Sequence, residues 1–541
     1  MVYEKFKIFS WKFVTFSFFL VFLLPTGFVL VSLFGEYNDN WQHLIDYVIT
    51  DYVFNSLYLI LGVSFISLIL GVGSAWLVTN YEFYFKNFLE WALILPLAVP
   101  PYILAYSFTG LFDSYGTINE ILRAAFNLGD DVIVFPNLRN IFGAIIVFSF
   151  TLYPYIYLTA RMAFINQSKS LIEAGKILGL NDFMVFIKLG IPLIRPAIVA
   201  GLALVIMETL SDFGAVEHFA VQTFTTGIFR TWFGMYDLNT AMQLSSFLLI
   251  FVAFFLFLER YERNKLSYSY GSSSFKKTSP QKLKGISNYL AFTFCFLPIF
   301  VGFILPILEI SSWAIFYTSD NFFSDKFINS FLNTIYLGFL AAIFCTFFSL
   351  GLNFLKRFDK SILLSSTSFS LSLGYAVPGL VLAIGIIQFF SFLDNEIFKS
   401  FFNITLVGSV FGLLLAYVIK SYALANSAIE SGFQRIDSSI DDVSRTLKKS
   451  KLGIMFRIHM PLLKTSIFTS ILLVISEVIK ELPATLILRP FNFDTLAVST
   501  YLYAAEERMY EAAAPAMMIV LIGLVPIIFL SKIIRDSRPG K

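Results

Sequence analysis

The stretch EAGKILGLNDFMVFIKLGIP, from Glu173 to Pro192, returns 269 positions later as DVSRTLKKSKLGIMFRIHMP, from Asp442 to Pro461. Each copy follows an apolar run of membrane length and precedes another. Glu173 aligns with Asp442, Ala174 with Val443, Gly175 with Ser444, Leu189 with Ile458, Ile191 with Met460 and Pro192 with Pro461. In the first copy Gly179 stands between two short helical stretches, one from about Ser168 and one from about Asp182. Glycine permits the tight turn of a helix–turn–helix, and Pro192 is expected to end the second helix. The second copy has Lys448 in place of that glycine, so its turn is expected to differ. A polar loop repeated at one place between apolar runs predicts a chain of two related halves.

Composition agrees. Hydrophobic residues make up 57% of 541, charged residues 14%, and the mean hydropathy is +0.76, which excludes an ordinary soluble globular domain. A membrane-crossing helix needs ~20 mostly apolar residues. Twelve runs read as spans, near 12–34, 56–78, 88–111, 141–163, 196–216, 242–259, 289–315, 331–354, 366–392, 405–425, 465–487 and 513–533. Open sheets leave backbone groups unsatisfied in hydrocarbon, and the alternation of a β-barrel is absent, so the runs are helices. The first run is too long for a signal-peptide core and reads as a retained helix. Cys295 and Cys345 both lie within apolar runs and read as small buried hydrophobes rather than a disulfide or metal pair.

Charge gives the orientation. Lys5, Lys7 and Lys12 precede the first run; Arg260, Arg263, Lys265, Lys276, Lys277, Lys282 and Lys284 fill the centre; Lys532, Arg535, Arg538 and Lys541 close the chain. The intervening odd loops carry Glu36, Asp39, Asp46 and Asp51, then Asp113, Glu120, Asp130 and Asp131. The positive-inside rule therefore places both termini, the central linker and both repeated loops in the cytoplasm.

The expected fold is an all-α polytopic membrane protein of about twelve transmembrane helices in two homologous six-helix halves. The first half is 1–263 with its loop at 168–192, and the second is 288–541 with its loop at 437–461. The Ser/Lys-rich segment 264–287 reads as a linker rather than a domain. Further repeats support the halves. Asn55-Ser-Leu-Tyr-Leu matches Asn333-Thr-Ile-Tyr-Leu, and Ala98-Val-Pro100 matches Ala376-Val-Pro378, both at an offset of 278. Pro100, Pro101 and Pro378 lack a backbone donor and are expected to kink their helices.

Glu208 matches Glu477, and Asp212 matches Glu481, at the offset of the repeated loops. Counted from Ala197 at 1.5 Å per residue, Glu208 lies ~17 Å and Asp212 ~23 Å along a helix. Spacing of i,i+4 puts both on one face, and Lys480 lies beside the second pair. A carboxylate at membrane depth costs at least a few kcal/mol unless it faces water or a partner. Two readings follow: an acidic lining suited to a cation, or carboxylates each neutralised by a basic or backbone group.

The repeated loops resemble the "EAA" loop of binding-protein-dependent ABC importer permeases: Glu-Ala-Ala, three residues, Gly, nine residues, Ile-x-Leu-Pro. In that family the loop is a short cytoplasmic helix pair that sits in a groove of the ATPase subunit. This chain departs from the pattern at Gly175, Asp442, Val443, Ser444 and Lys448. ELPATLILRPFNFDTLA, Glu481 to Ala497, is similar to the corresponding stretch of ferric-iron ABC permeases, and ETLSDFGAV, Glu208 to Val216, to that of their first half. The resemblance spans essentially the whole chain. It implies the type-I ABC importer permease fold in a bacterial inner membrane, an Fe(III) substrate delivered by a periplasmic binding protein, and a cytoplasmic ATPase homodimer. Relatives for thiamine, sulfate, polyamines or phosphonates share the loops, so those substrates remain alternatives. Hard Fe(III) prefers oxygen ligands, as would other hard cations.

No G-x-x-x-x-G-K-[ST] occurs, so ATP and magnesium are expected on the partner ATPase, with no cofactor or catalytic residue on this chain. His43, His218 and His459 are isolated and lack metal-ligand spacing; His218, near the outer end of its span, is the one to watch. The net charge of +3 says nothing about nucleic acid, since its placement is what matters; no nucleic-acid partner is expected, and lipid surrounds the chain. An ion-gradient transporter with proton-relay carboxylates is the competing class, but it leaves the paired loops unexplained.

Overall fold

Prolines and polar caps, rather than hydropathy alone, decide where the apolar runs become helices. The computed structural model describes residues 17, 19–129, 132, 134–167, 173, 175–264, 281–316, 324–359, 361–398, 405–447 and 450–536. Ala174, Lys448, Lys5, Lys7, Lys12, Asp130, Asp131, Arg538, Lys541 and the linker from Lys265 to Pro280, with Lys276 and Lys277, lie outside them.

Among the described residues nine helices are long and apolar enough to cross a membrane. They are Ile49–Asn80, Ile141–Ile165, Asp182–Ser211, Leu238–Tyr261, Ile286–Ile315, Asp325–Phe358, Gly379–Glu396, Val410–Gln434 and Met509–Phe529. Two bent pairs bring the number to eleven if each is one span: Lys86–Ala98 with Pro101–Phe126, at 93°, and Lys451–Leu462 with Lys464–Ile479, at 76°. The first expected span is described only as the shorter helix Phe19–Phe34.

The described residues thus supply nine to eleven of the twelve expected spans, and at the prolines the expected kinks are sharper than a bend. Val99 (φ −101°, ψ 108°) and Pro100 (φ −59°, ψ 148°) are both extended, so the third run breaks outright instead of kinking. Two consecutive prolines remove two donors, and each proline pushes its predecessor out of the helical region. The second half repeats the break: Val377 (ψ 122°) and Pro378 (ψ 139°) separate Ile362–Ser372 from Gly379–Leu393.

Within each half the helices pack in the same order. Ile49–Asn80 and Asp182–Ser211 pack along Ile141–Ile165; Asp325–Phe358 and Lys464–Ile479 pack along Val410–Gln434. The first helix of each half crosses to the other. Pro25 rests its carbonyl where Gly385 has no side chain, and Phe22 meets the Tyr422 ring edge-on at 6.0 Å. Reciprocally, Gly302 abuts the Phe150 carbonyl, and Trp313 occupies the space left by Gly110. Each half is thus packed against its partner's first helix.

The end of the linker is tied down by a short parallel pair, Tyr81–Glu82 with Gln281–Lys282. Leu283 donates to the Glu82 carbonyl at 2.9 Å and Tyr84 to the Asn288 side chain at 2.8 Å. Cys295 and Cys345 are both buried and form no disulfide, and they lie in separate apolar clusters.

Candidate functional site

In the first repeated loop the turn is built around Gly179, whose φ of +84° is left-handed and which faces open space. Its amide donates to the Lys176 carbonyl at 3.0 Å, and Leu180 donates to Gly175 at 3.1 Å, closing the helix that carries exposed Glu173. Gly175 is buried because a Cβ there would lie 2.5 Å from Leu189. Asn181 caps the next helix through the Met184 amide, and Lys176 pairs with Asp182 at 2.7 Å. Ile177 and Leu178, at the tip, are 86% and 82% exposed, an apolar surface that none of the described residues covers.

Pro192 does not end the helix, contrary to expectation. A π-helical turn at Phe186–Gly190 leads straight into Ile191–Ser211, with the Ile191 amide bonded to Phe186. That wider turn is the local adjustment a helical proline requires. The second copy has the same π turn at Met455–His459, and there the chain does bend after Pro461, at Leu463.

The second loop is held differently. Ser438–Thr446 exposes Asp442 and Val443 and buries Ser444, whose hydroxyl donates to the Ile440 carbonyl at 2.6 Å. Asp441, one residue before the aligned acid, is buried between Arg357 and His459. The His459 ring nitrogen Nε2 lies 2.7 Å from the carboxylate, and the ring sits among Phe354, Phe358 and Phe433. Arg357 also donates to the carbonyls of Phe433, Ile436 and Asp437 at 3.0, 2.8 and 2.9 Å. Sequence reasoning missed Asp441 and Arg357 and set His459 aside as isolated. In the first loop His459 is replaced by Gly190, packed on Trp76, so no such ionic clamp forms there.

The four candidate carboxylates converge. Asp182–Ser211 stops one residue before Asp212, whose backbone is extended (φ −71°, ψ 141°). The Asp212 carboxylate accepts from the amides of Ala215 and Val216 at 2.9 and 3.3 Å, at the start of the short helix Gly214–His218. In the second half Lys464–Ile479 stops before Glu481. Glu481 accepts from the amides of Ala484 and Thr485 at 3.1 and 3.0 Å, capping Pro483–Leu488. Free amides at a helix start favour an anion, which is why an acid sits at each break. Glu208 and Asp212 thus do not share one face of a continuous helix, nor do Glu477 and Glu481: each span breaks between its two acids.

All four nonetheless line one partly open cavity between the halves. Lys420 and Lys480 line it too. Lys480 pairs with Glu477 at 2.9 Å, Lys420 approaches Glu481 at 3.4 Å, and the Tyr375 hydroxyl donates to Glu208. Four carboxylates against two ammonium groups leave a formal excess of two negative charges. Lys420 went unnoticed in the sequence although a lone lysine inside the apolar run Val410–Gln434 was the available signal. Glycines let the broken segments approach: a Cβ on Gly379 would lie 2.6 Å from Glu481 Oε1, and one on Gly214 would lie 2.7 Å from Leu482 and 2.9 Å from Tyr102. His218 is bound to Thr109, Nε2 to Oγ1, at 2.7 Å. Among the described residues no three His, Cys, Asp or Glu are grouped to hold a metal ion.

The pattern of the family described as "Binding-protein-dependent transport system inner membrane component" matches this chain twice, at residues 67–261 and 350–537. The Fe(3+)-transport system permease protein FbpB 2 of Haemophilus influenzae is 26% identical over 88% of this chain and 89% of its own length. The ferric transport system permease protein FbpB of Actinobacillus pleuropneumoniae is 23% identical over 97% of this chain and 77% of its own. The sulfate transport system permease protein CysT of Salmonella typhimurium is 26% identical over only 37% of this chain.

Proposed function

Since the chain belongs to the family of binding-protein-dependent transport system inner membrane components, we propose that it is the two-half permease of an ATP-driven importer for ferric iron. One observation carries the reading: four carboxylates, two from each half, meet at matching helix breaks around a single cavity. The names of the relatives aligned over most of the chain support the same substrate.

In this reading both termini face the cytoplasm of a bacterial cell. A periplasmic binding protein delivers the cation at the opposite face. A homodimeric ATPase, holding ATP and magnesium, docks on the tips formed by Glu173, Gly175, Gly179, Ile177 and Leu178 in one half. In the other half it docks on Asp442 and Val443, with buried Ser444 behind them. Closure of the dimer moves both loops, and the interlocked halves rock about the cavity. This chain hydrolyses nothing itself.

Lys420 and Lys480 balance the carboxylates until substrate arrives. Two unit charges ~4 Å apart attract by about 4 kcal/mol at an effective dielectric of 20, and a trivalent ion multiplies that threefold. Ferric iron therefore outcompetes a lysine for the same oxygen atoms, and a monovalent cation does not.

The two lysines favour one other reading, an oxyanion such as sulfate, which the partial similarity to a sulfate permease also suggests. The formal excess of acid in the cavity weighs against it. Vesicles carrying this chain, its ATPase and its binding protein decide the matter. Radiolabelled ferric iron should accumulate with ATP, and excess sulfate should leave uptake unchanged. Sulfate uptake without iron uptake would overturn the proposal.

A further inference from the structure

We propose that Tyr102 and Tyr106 form a phenolic step through which a hard, highly charged cation reaches the carboxylate cavity from its outer side; this rests on the ferric-iron reading above. Pro101–Phe112 starts at the helix break, and Pro100, Pro101 and Tyr102 line the cavity. Its far end, Phe112, meets Phe135, and Asp113 pairs with Arg139 just before Ile141–Ile165. That helix runs back to the first cytoplasmic loop, so Pro101–Phe112 leads from the cavity toward the opposite face. Tyr102 and Tyr106 are i,i+4 on one side of it, with ring centroids 5.8 Å apart. One turn further out, the Tyr106 ring meets His218 edge-on at 4.7 Å.

Among the described residues neither hydroxyl has a hydrogen-bond partner, although each residue is only 3% exposed. Other buried tyrosines of the same core are satisfied. Tyr153 donates to the Leu93 carbonyl at 2.9 Å, Tyr157 to Glu90 at 2.6 Å, and Tyr417 shares a bond with Thr485 at 2.6 Å. Tyr422 is the third described buried phenol without a partner, and it packs on Phe22 away from the cavity. An unsatisfied buried hydroxyl costs about 1–3 kcal/mol, so phenylalanine would serve packing better at both positions. The duplicated half shows what packing alone requires. At the offset of 278 fixed by the Ala-Val-Pro repeat, Tyr102 corresponds to Leu380 and Tyr106 to Ile384, both buried and apolar.

A hard cation supplies what these hydroxyls lack. A neutral phenol oxygen can accept a hydrogen bond from a water bound to the ion, with no metal–phenol bond formed and no proton lost. Steps of four helical residues rise ~6 Å, a short transfer from Tyr106 to Tyr102. The Asp212 and Glu481 carboxylates then take over from the lining of the same cavity.

The test uses the full chain with its partner subunits in vesicles. Tyr102→Phe, Tyr106→Phe and the double variant are compared for ferric uptake, ATP hydrolysis and thermal unfolding. A further double variant, Tyr102→Leu with Tyr106→Ile, installs the second half's residues. We expect unfolding temperatures equal to or above the parent in the phenylalanine variants, ATP hydrolysis retained, and uptake lowered at least tenfold in both double variants. A parental uptake rate in the double phenylalanine variant overturns the phenolic step and leaves the ferric permease reading standing. A lowered unfolding temperature in the phenylalanine variants assigns the hydroxyls to stability and also overturns it. If the parent itself moves no ferric iron, both proposals fall together.

Discussion

Asp441→Asn removes one negative charge from a clamp that joins four segments of the second half. Asp441 lies on Ser438–Thr446, Arg357 on Asp325–Phe358, His459 on the π turn Met455–His459, and Phe433 on Val410–Gln434. Breaking a buried ion pair by removing one partner costs ~3–5 kcal/mol. Here the guanidinium keeps three backbone carbonyls at 2.8–3.0 Å, so the loss falls at the low end. The asparagine retains one acceptor oxygen and cannot face both Arg357 and His459. About 3 kcal/mol is therefore expected, or roughly a hundredfold in the docking equilibrium of this helix, at about 1.4 kcal/mol per factor of ten. Amide hydrogen exchange reads that equilibrium directly. Protection of Ser438–Thr446 should fall by about that factor, while the helix carrying Gly175–Ile177, which Asp441 does not touch, should not change. Co-purification of the ATPase should weaken without loss of membrane insertion. Unchanged protection of 438–446 would refute the reasoning, because it would mean the ion pairs carry none of the docking energy.

Gly179→Val forces a β-branched residue into φ +84° with empty space around it, at a cost of about 1–2 kcal/mol. The ATPase should co-purify less well while the membrane core stays folded; normal co-purification would show the turn plays no part in docking. Gly379→Ala should push Glu481 off its cap, since the new Cβ would lie 2.6 Å from Oε1. A loss of roughly 1–3 kcal/mol is expected on thermal unfolding, and no loss would mean that the Glu481 side chain moves freely. Burial opposes the charge of Asp237, but donors from Thr240, Asn40 and Asn38 outweigh it and hold the carboxyl down at about 2. Against an ordinary value of ~3.9, its contribution is complete above about pH 4 and is lost as pH falls toward 2. Asp237→Asn should flatten that part of the pH–unfolding profile, and an unaltered profile would discount the site.

The two-half plan was legible because duplication preserves order and because a polar loop between apolar runs has one place to go. Glu208, Asp212, Glu477 and Glu481 stood out because acids are costly in hydrocarbon. The helix breaks beside them were not legible, since hydropathy counts residues and ignores where a backbone amide needs an acceptor. Asp212 and Glu481 read as mid-helix acids until the amides of Ala215 and Ala484 turned toward them. Pro100 and Pro101 hinted at a kink, but whether a proline kinks or severs a helix depends on what packs around it. Pro192, inside an intact helix, shows the other outcome. Asp441 was overshadowed by its neighbour Asp442, because only the fold brings Arg357 and His459 to it across 84 and 18 residues. The crossing of Phe19–Phe34 onto Gly385 is a long-range contact without any local signature.

The central claim is that the acids at the two helix breaks carry the cation. Asp212→Asn together with Glu481→Gln keeps an acceptor oxygen for each capped helix and removes both charges. Ferric uptake into vesicles with the partner subunits measures the consequence. The account predicts uptake at least tenfold below the parent, with folded protein and ATPase association retained. Uptake at the parental rate by this double variant would contradict it.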